Sequence, residues 1–308
     1  MTGIVPKWMK PLAIAVSVLA MVYLLSLVPR PSTKPKSPPV PNDIQRFSLV
    51  SQGLTITIEN KNGVWRVTSP IDVPANEGVV VHFLASLRSF AFEEVMSRRP
   101  ESFELFQVDD AASVRLSVWG TGAKDPLEWI IGKDAPLGGH GYARLGNGKE
   151  VYLTSGLSRN EVEVGLKMWR EGRLLPLAPD TPIRSIQVRR AMGNLILEKS
   201  SDTWTVNGKK ANGEKVEGLV SSLRYVSADD FVDPPQSLGL IASHLSPPAA
   251  EITVLAGEGT SHILRFGIPE KGDTPRVLAR RDDDPHLLWM IARHIEFLTT
   301  PEKELIFK

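Results

Sequence analysis

Residues 56–67 read ITIENKNGVWRV and residues 195–206 read LILEKSSDTWTV, and the two stretches align without a gap at an offset of 139 residues. In both, apolar residues recur at every second position on either side of a short polar turn. This pattern predicts two β-strands joined as a hairpin. A tryptophan occupies the same place on the second strand of each hairpin, at Trp65 and Trp204. We expect both tryptophans to fill the core of their own copy, because a residue found in both copies is more simply structural than part of a binding surface.

An amphipathic helix is predicted after each hairpin, where the offset changes to 136 residues. Ala75 and Asn76 match Ala211 and Asn212, and an asparagine at this place can cap the helix that follows. The next apolar positions have the three- and four-residue spacing of one helix face. They are Val80, Phe83, Leu84 and Leu87 in the first copy, and Val216, Leu219, Val220 and Leu223 in the second. We expect this stripe to cover one face of the sheet.

Further strands are predicted in both copies, separated by turns that contain glycine, asparagine or aspartate. Their predicted ranges are 113–119, 127–132, 141–145 and 150–153 in the first copy, and 251–256, 262–267 and 276–280 in the second. Each copy is predicted to end in a helix, over residues 157–169 and 286–298. The sequence therefore predicts an α+β fold of two tandem, internally duplicated domains of antiparallel β-sheet plus helix. The first spans residues 44–178, and the diverged second spans residues 179–308.

The first 43 residues differ in composition from the rest of the chain. Residues 12–28 contain no charged side chain, which predicts a single-pass transmembrane anchor over residues 11–28 after a short tail of residues 1–10. A cleaved secretory signal has a similar pattern, but no small-x-small cleavage site follows the apolar run, so we favour an uncleaved anchor. Residues 29–43 are proline-rich and predict an extended polyproline II linker that acts as a spacer. Basic residues flank both ends of the apolar run, so charge alone does not choose the membrane orientation.

The overall charge conceals this division. The 308 residues include 36 Lys and Arg against 35 Asp and Glu, which gives a formal net charge of +1. The first 42 residues hold five basic residues and no acidic one, so the remainder carries a net charge of −4. A slightly acidic folded region argues against nucleic acid as a partner. The absence of cysteine excludes disulfides, thiolate metal sites and cysteine nucleophiles.

The sequence contains no group of residues with the spacing of a catalytic or metal-binding motif. The six histidines do not form the H-E-x-x-H pattern of a zinc protease, and no G-x-S-x-G elbow is present. The acidic run at residues 282–284, before His286, lacks the ligand spacing of an EF-hand and predicts a solvated turn that caps the helix expected from residue 286. Residues 138–141 predict a hairpin turn, because no Lys-Ser or Lys-Thr pair follows to make a phosphate loop. We therefore assign no catalytic, cofactor-binding or metal-binding residue and expect no cofactor.

Two adjacent acidic pairs occupy equivalent places at the end of the long helix of each copy. They are Glu93 with Glu94 and Asp229 with Asp230. Adjacent acids at a helix end point apart, unlike the two facing carboxylates of a glycosidase. We interpret both pairs as exposed charge, with a partner interface as the alternative role.

Several segments of the first copy resemble the DUF4340 family. The resemblance rests on Gly63-Val64-Trp65-Arg66-Val67, Pro70, Pro74-Ala75-Asn76, Phe106-Gln107-Val108-Asp109, Ile130-Ile131-Gly132, Gly141-Tyr142-Ala143-Arg144 and Val151-Tyr152-Leu153. It covers residues 44–177, and the second copy looks like a degenerate second unit. Residues 106–109 lack the glycine typical of the family, and the family pattern carries no catalytic residue to transfer. The resemblance implies a membrane-tethered extracytoplasmic bacterial protein of uncharacterised function, of a kind often encoded beside ABC-type transport systems, including those linked to gliding motility.

The anchor, the linker and the duplicated domain predict a non-enzymatic, single-pass membrane protein, and the resemblance implies that it lies in the bacterial inner membrane with most of the chain in the periplasm. We expect it to be a scaffold or auxiliary subunit of an envelope complex such as an ABC-type transporter, with an integral-membrane or envelope protein as its partner. The partner surface is expected at strand edges or at the acidic helix ends. The alternative is a periplasmic module that binds a ligand or polymer in a groove between the copies, lined by aromatic residues such as Trp119, Trp129 or Tyr142. A periplasmic hydrolase is the least favoured function.

Overall fold

The structure is a computed structural model that describes Leu19, Met21 and residues 35–306, the side chain of Leu298 excepted. No helix among these residues has the length and the apolar composition that a membrane crossing needs. The predicted tail, the predicted anchor over residues 11–28 apart from Leu19 and Met21, and the first part of the predicted linker lie outside the described residues.

The described part of the chain contains two antiparallel sheets of nine strands each, together with helices. The first contains β1 (Ile44–Ser51), β2 (Leu54–Lys61), β3 (Val64–Ser69), β4 (Val73–Pro74), β5 (Ala91–Ser97), β6 (Val114–Gly120), β7 (Leu127–Asp134), β8 (His140–Leu145) and β9 (Val151–Ser155). The second contains β10 (Ile183–Arg190), β11 (Leu195–Ser200), β12 (Thr203–Val206), β13 (Lys209–Lys210), β14 (Asp230–Val232), β15 (Ala250–Ala256), β16 (Thr260–Phe266), β17 (Arg276–Arg281) and β18 (Leu287–Ile291).

The strand order is the same in both sheets. It runs β4-β3-β2-β1-β6-β7-β8-β9-β5 in the first sheet and β13-β12-β11-β10-β15-β16-β17-β18-β14 in the second. Each strand of the second sheet therefore takes the place of the strand nine numbers earlier. This identity of topology confirms that the chain contains a β-rich unit in two tandem copies.

The two long amphipathic helices lie where the sequence predicts them. The α-helices are α1 (Glu77–Ser89), α2 (Phe103–Phe106), α3 (Arg159–Val162), α4 (Leu166–Trp169), α5 (Gly213–Tyr225), α6 (Gln236–His244) and α7 (Glu302–Leu305), and 3₁₀ turns span Pro100–Ser102 and Ala292–Thr299. The side-chain oxygen of Asn76 accepts a hydrogen bond from the Val79 amide, and that of Asn212 accepts one from the Lys215 amide, each at 3.3 Å. Every residue of the predicted apolar stripe is buried, with at most 7% of its surface exposed. Capping and burial thus act together in both copies.

The predicted helices at the end of each copy are wrong in extent. In the first copy, residues 157–169 contain only the single turns α3 and α4. In the second copy, Leu287–Ile291 forms β18 and pairs with β17, and only then does the 3₁₀ helix Ala292–Thr299 begin. Leu287, Leu288 and Met290 are all fully buried, and a short apolar run buried on both faces has no periodicity that separates a strand from a helix.

The chain divides into two compact units whose limits differ from those of the two copies. The first unit comprises the described part of the first 44 residues, Val50–Gly53 and Ala85–Val162. The second comprises Gln45–Leu49, Leu54–Leu84 and the described part of Glu163–Lys308. The second unit therefore contains the first hairpin and most of α1 together with the whole second sheet.

The last part of the proline-rich segment is fixed to the first unit. The Phe92 amide of β5 donates a hydrogen bond to the Ser37 hydroxyl at 2.7 Å, and the Thr121 amide donates one to the Asp43 carboxylate at 3.3 Å. The prolines alone predict a free spacer over the whole of residues 29–43. The structure shows that its C-terminal end has specific contacts instead.

Glycines at equivalent places in the two copies have different surroundings. In the first unit, a Cβ added to Gly132 would overlap the Phe106 carbonyl oxygen and lie 2.7 Å from Cγ1 of Val108. A Cβ added to Gly267 in the second unit would lie 3.4 Å from the nearest atom, the His244 carbonyl oxygen. The connection between β5 and β6 thus crosses β7 at a point where only glycine fits.

We predict that Gly132→Ala lowers the free energy of unfolding by about 1–3 kcal/mol through overpacking. Gly267→Ala is the matched control in the other copy and should change it by less than about 1 kcal/mol. Urea unfolding followed by tryptophan fluorescence measures both values. Equal effects of the two substitutions would contradict the close approach at Gly132.

Candidate functional site

The segment of residues 169–176 begins at the last residue of α4, continues without regular secondary structure and is held by backbone hydrogen bonds on both of its sides. We call it the junction strap. On one side the Asn76 amide donates to the Trp169 carbonyl at 2.8 Å, and the Glu171 amide donates to the Pro74 carbonyl at 3.0 Å. On the other side the Leu174 amide donates to the Val226 carbonyl at 2.9 Å, and the Ala228 amide donates to the Gly172 carbonyl at 2.8 Å. All of these residues belong to the second unit. The strap is therefore paired like a strand although it is not part of either sheet.

Trp169 anchors the start of the strap in the core of the second unit. Its side chain is fully buried, and its ring centre lies 5.4 Å from that of Phe47 and 5.5 Å from that of Phe83. Both contacts have edge-on geometry, which aromatic pairs favour. The apolar cluster therefore fixes the direction in which the next residues leave the core.

Arg170, the second residue of the strap, is a buried charge with matched partners. Its guanidinium donates two hydrogen bonds to the Asp233 carboxylate, at 2.7 and 2.9 Å, and lies 3.9 Å above the ring of Phe231. The side chain of Arg170 is only 5% exposed. Nδ1 of His286 lies 2.9 Å from the same carboxylate. Burial raises the pKa of Asp233, but the hydrogen bonds from Arg170 and His286 outweigh it and hold this pKa below its usual value.

The next strap residues form a second ionic group. The buried carboxylate of Glu171 accepts hydrogen bonds from the Arg173 amide at 2.8 Å and from the Arg173 guanidinium at 2.6 Å. This side-chain hydrogen bond raises the pKa of Arg173. Arg281 of β17 donates to the carbonyl oxygens of Glu171 and Arg173, at 3.3 and 3.0 Å. Burial lowers the pKa of Arg281, and the nearby carboxylates of Asp284, Glu171 and Asp282 oppose that shift.

A cleft of about 400 Å³ lies over the strap, and all of its lining residues belong to the second unit. Its apolar lining includes Val64, Trp65, Pro74, Leu174, Pro176 and Leu264. Its charged and titratable lining comprises Glu77, Glu171, Arg173, His262, Arg281, Asp282 and Asp284. Among the described residues that line the cleft, none is Ser, Thr, Lys or Tyr. The cleft can therefore bind apolar and charged groups, but its lining offers no hydroxyl or amine nucleophile.

The two matched tryptophans differ in burial and in surroundings. Trp204 is 2% exposed, and its indole nitrogen donates to Glu217 at 2.7 Å, so the expected core position is confirmed for this residue. Trp65 is only half-buried; its ring centre lies 6.0 Å from that of Phe47, and it lines the cleft. The expectation that Trp65 is purely a core residue is therefore wrong.

The aromatic residues expected to line a groove lie elsewhere. Trp129 is fully buried, and Trp119 and Tyr142 are half-buried on β6 and β8. All three belong to the first unit, and none of them lines the cleft. Trp65 is the aromatic side chain that sequence reasoning missed.

The two acidic pairs lie on or next to strands, not at helix ends. Glu93 and Glu94 are part of β5, and Asp229 and Asp230 stand at the start of β14. The first member of each pair has a fixed partner: Ser155 donates to Glu93 at 2.9 Å, and the Ile291 amide donates to Asp229 at 2.6 Å. The second members, Glu94 and Asp230, are exposed. The interpretation as exposed charge therefore holds only for these second members.

The two predicted turns are confirmed, but the predicted helix cap at residues 282–284 is wrong, because β18 follows this turn and no helix begins there. Asp282 has a φ of 45° and accepts a hydrogen bond from the Ile263 amide at 2.8 Å, and the next residue, Asp283, has a side chain that is 90% exposed. Gly138 and Gly139 lie in the turn that joins β7 to β8. Among the residues that the structure describes, no three His, Asp or Glu side chains are arranged to hold a metal ion.

We predict that Asp233→Asn lowers the free energy of unfolding by roughly 2 kcal/mol at pH 7, because it leaves the buried Arg170 without its counter-charge. Asp283→Asn is the matched control and should change it by less than about 0.5 kcal/mol, since the side chain of Asp283 is 90% exposed and water screens its charge. Urea unfolding at several pH values measures both.

The pH dependence follows from the lowered pKa of Asp233. The folded pKa lies below the reference value of 3.8, so the ionised carboxylate stabilises the fold fully above that value. This contribution is lost as the pH falls through the folded pKa. The gap between wild type and Asp233→Asn should therefore shrink below about pH 4. A gap that does not shrink as the pH falls through this range would contradict the stabilisation of the Asp233 carboxylate by Arg170.

A family model described as a domain of unknown function (DUF4340) matches residues 65–242. The matched range begins at Trp65 in β3, contains the whole junction strap and ends in α6. It therefore extends well into the second copy, whereas the resemblance read from the sequence covers residues 44–177. No curated protein and no solved structure matches the chain. Since the matched range covers more than half of the sequence, the chain belongs to the DUF4340 family.

Proposed function

We propose that the protein is a non-enzymatic, membrane-anchored auxiliary or scaffold subunit of an envelope complex, with the bulk of the chain on the periplasmic side of the inner membrane. An ABC-type transport system is the candidate complex, and an integral-membrane or envelope protein is the proposed partner. The observation that carries this proposal is the cleft over the junction strap.

The cleft has the properties of a preformed binding surface. Its floor is hydrogen-bonded on both sides, and the buried Arg170 and the partly buried Arg281 hold the strap through further contacts. A surface that is already ordered loses little conformational entropy on binding. A half-buried tryptophan in a concave apolar wall is also the kind of residue that dominates protein interfaces.

The polar chemistry of the cleft supports binding rather than reaction. His262 Nδ1 lies 3.6 Å from the Asp282 carboxylate, but the described lining has no hydroxyl for such a pair to activate. Glu171 and Arg173 are bonded to each other, and Arg281 is bonded to backbone carbonyl groups. These groups maintain the shape of the cleft.

The predicted anchor would place the cleft close to a membrane. An apolar run at residues 12–28 followed by a proline-rich segment would keep the folded region close to a bilayer. Proteins of the same membrane are then the partners at the highest local concentration. This is the reason for proposing an envelope complex over a freely diffusing partner.

The alternative function is a periplasmic module that binds a small ligand or an envelope polymer in the same cleft. The volume of about 400 Å³ lies within the range of small-molecule sites, roughly 300–1,000 Å³. A bound ligand of this kind would raise the melting temperature of the purified protein. A protein partner would not be needed.

The test is affinity purification of the tagged full chain, at native expression, from detergent-solubilised membranes. We expect the same integral-membrane protein in every replicate. Val64→Arg, which places a charge on an exposed cleft residue, should reduce its recovery by about tenfold, as expected for loss of about 1.4 kcal/mol at an interface.

Leu137→Arg is the matched control, because Leu137 is similarly exposed but lies in the β7–β8 turn of the first unit. It should leave recovery unchanged. Recovery of the protein alone in every replicate would contradict the proposed function. In that case, thermal stabilisation by fragments of an envelope polymer would favour the alternative.

A further inference from the structure

The charges that line the cleft are unequal in number. Its lining holds the four carboxylates of Glu77, Glu171, Asp282 and Asp284, but only the two guanidinium groups of Arg173 and Arg281. With His262 neutral, the cleft carries two negative charges in excess. A surface of this kind attracts a ligand of positive charge.

Each guanidinium is shared between carboxylates. Arg173 is hydrogen-bonded to Glu171, and its pKa is raised first by that bond and also by the charge of Glu77. Arg281 lies 3.8 Å from Asp284, and the charges of both Asp284 and Asp282 act on its pKa. At least two carboxylates of the lining therefore act on each arginine.

The excess charge lies on the two carboxylates that are most accessible. Glu77 is exposed in the first turn of α1, and the side chain of Asp282 is 54% exposed in the turn after β17. Glu171, in contrast, is buried and fully occupied by Arg173. A cation entering the cleft can thus approach Glu77 and Asp282 without breaking the ionic groups that hold the strap.

Trp65 gives the cleft a second way to recognise a cation. The face of an indole ring attracts Lys and Arg side chains, by about 0.5–1 kcal/mol at exposed sites. The aliphatic stems of the same side chains pack well on apolar surface such as Val64, Leu174 and Pro176. A basic peptide segment matches both the apolar and the acidic parts of the lining.

We propose that the occupant of the cleft is a basic segment of a partner protein, which places Lys or Arg side chains between Trp65 and the carboxylates of Glu77 and Asp282. The inference rests on the proposed function and specifies the chemistry of the partner. It excludes an acidic or uncharged segment as the preferred ligand.

The test is a selection of random twelve-residue peptides displayed on phage, against the full chain in detergent micelles. On wild type, selected peptides should contain Lys and Arg at least about threefold more often than the unselected pool. The variant Glu77→Gln with Asp282→Asn should abolish this enrichment. Both substitutions retain the side-chain shape, and an asparagine at position 282 can still accept the hydrogen bond from the Ile263 amide.

The matched control is Asp125→Asn with Asp202→Asn, which removes the negative charges of two exposed residues that do not line the cleft. It should retain the full enrichment, and this separates recognition in the cleft from general attraction to an acidic protein. The best peptide should bind the cleft variant about fivefold more weakly than wild type or the control, as expected for two partly exposed ion pairs.

Four results would overturn the inference: no enrichment on wild type, enrichment of acidic or uncharged peptides, equal enrichment on wild type and the cleft variant, or loss of enrichment on the control. The proposed function fails separately, if wild type recovers no membrane partner while basic peptides are still selected. Recovery of a partner equally by wild type and by the cleft variant would contradict only the basic-segment inference.

Discussion

The buried guanidinium of Arg170 is the charge around which the second unit is organised. A charge removed from water must be compensated within the fold, and Arg170 obtains this compensation from Asp233 and from the ring of Phe231. This constraint fixes the strap between the first hairpin and the second sheet. Glu171, Arg173 and Leu174 follow at once along the chain, so the same interaction also positions the floor of the cleft.

Duplication supplied two equivalent sheets, and the differences between the copies produced the site. Both copies have the same strand order, and each has one long helix capped by an asparagine. Trp204 fills the core of its copy, whereas Trp65 remains half-buried and lines the cleft. The repeated tryptophan therefore kept its place on the strand while its surroundings changed. The first copy thus contributes Trp65 to the lining of the cleft, and the second copy contributes residues such as Leu264 and Asp282.

Local patterns explain which parts of this architecture were predictable. The hairpins, the caps at Asn76 and Asn212, and the buried helix stripes depend on neighbouring residues, and the sequence predicts them correctly. The apolar residues of the strap follow neither the helix nor the strand period, so no local pattern predicts its structure. Hydrogen bonds to residues distant in sequence, such as Asn76 and Val226, determine its conformation instead. The partial exposure of Trp65 depends on that same long-range packing. The sequence offers one signal for the strap. Arg170, Glu171 and Arg173 lie between a tryptophan and two leucines, and charged side chains in such an apolar context tend to be buried and paired.

The central claim is that the strap is a rigid, preformed floor, and hydrogen exchange followed by mass spectrometry tests it most directly. The amides of Glu171 and Leu174 donate to backbone carbonyl groups, so they should exchange about as slowly as those of the neighbouring sheet strands and far more slowly than an unstructured peptide. Asp233→Asn should accelerate exchange in residues 169–176 more than in β15 and β16. Exchange of the strap in wild type at the rate of an unprotected loop would contradict the account.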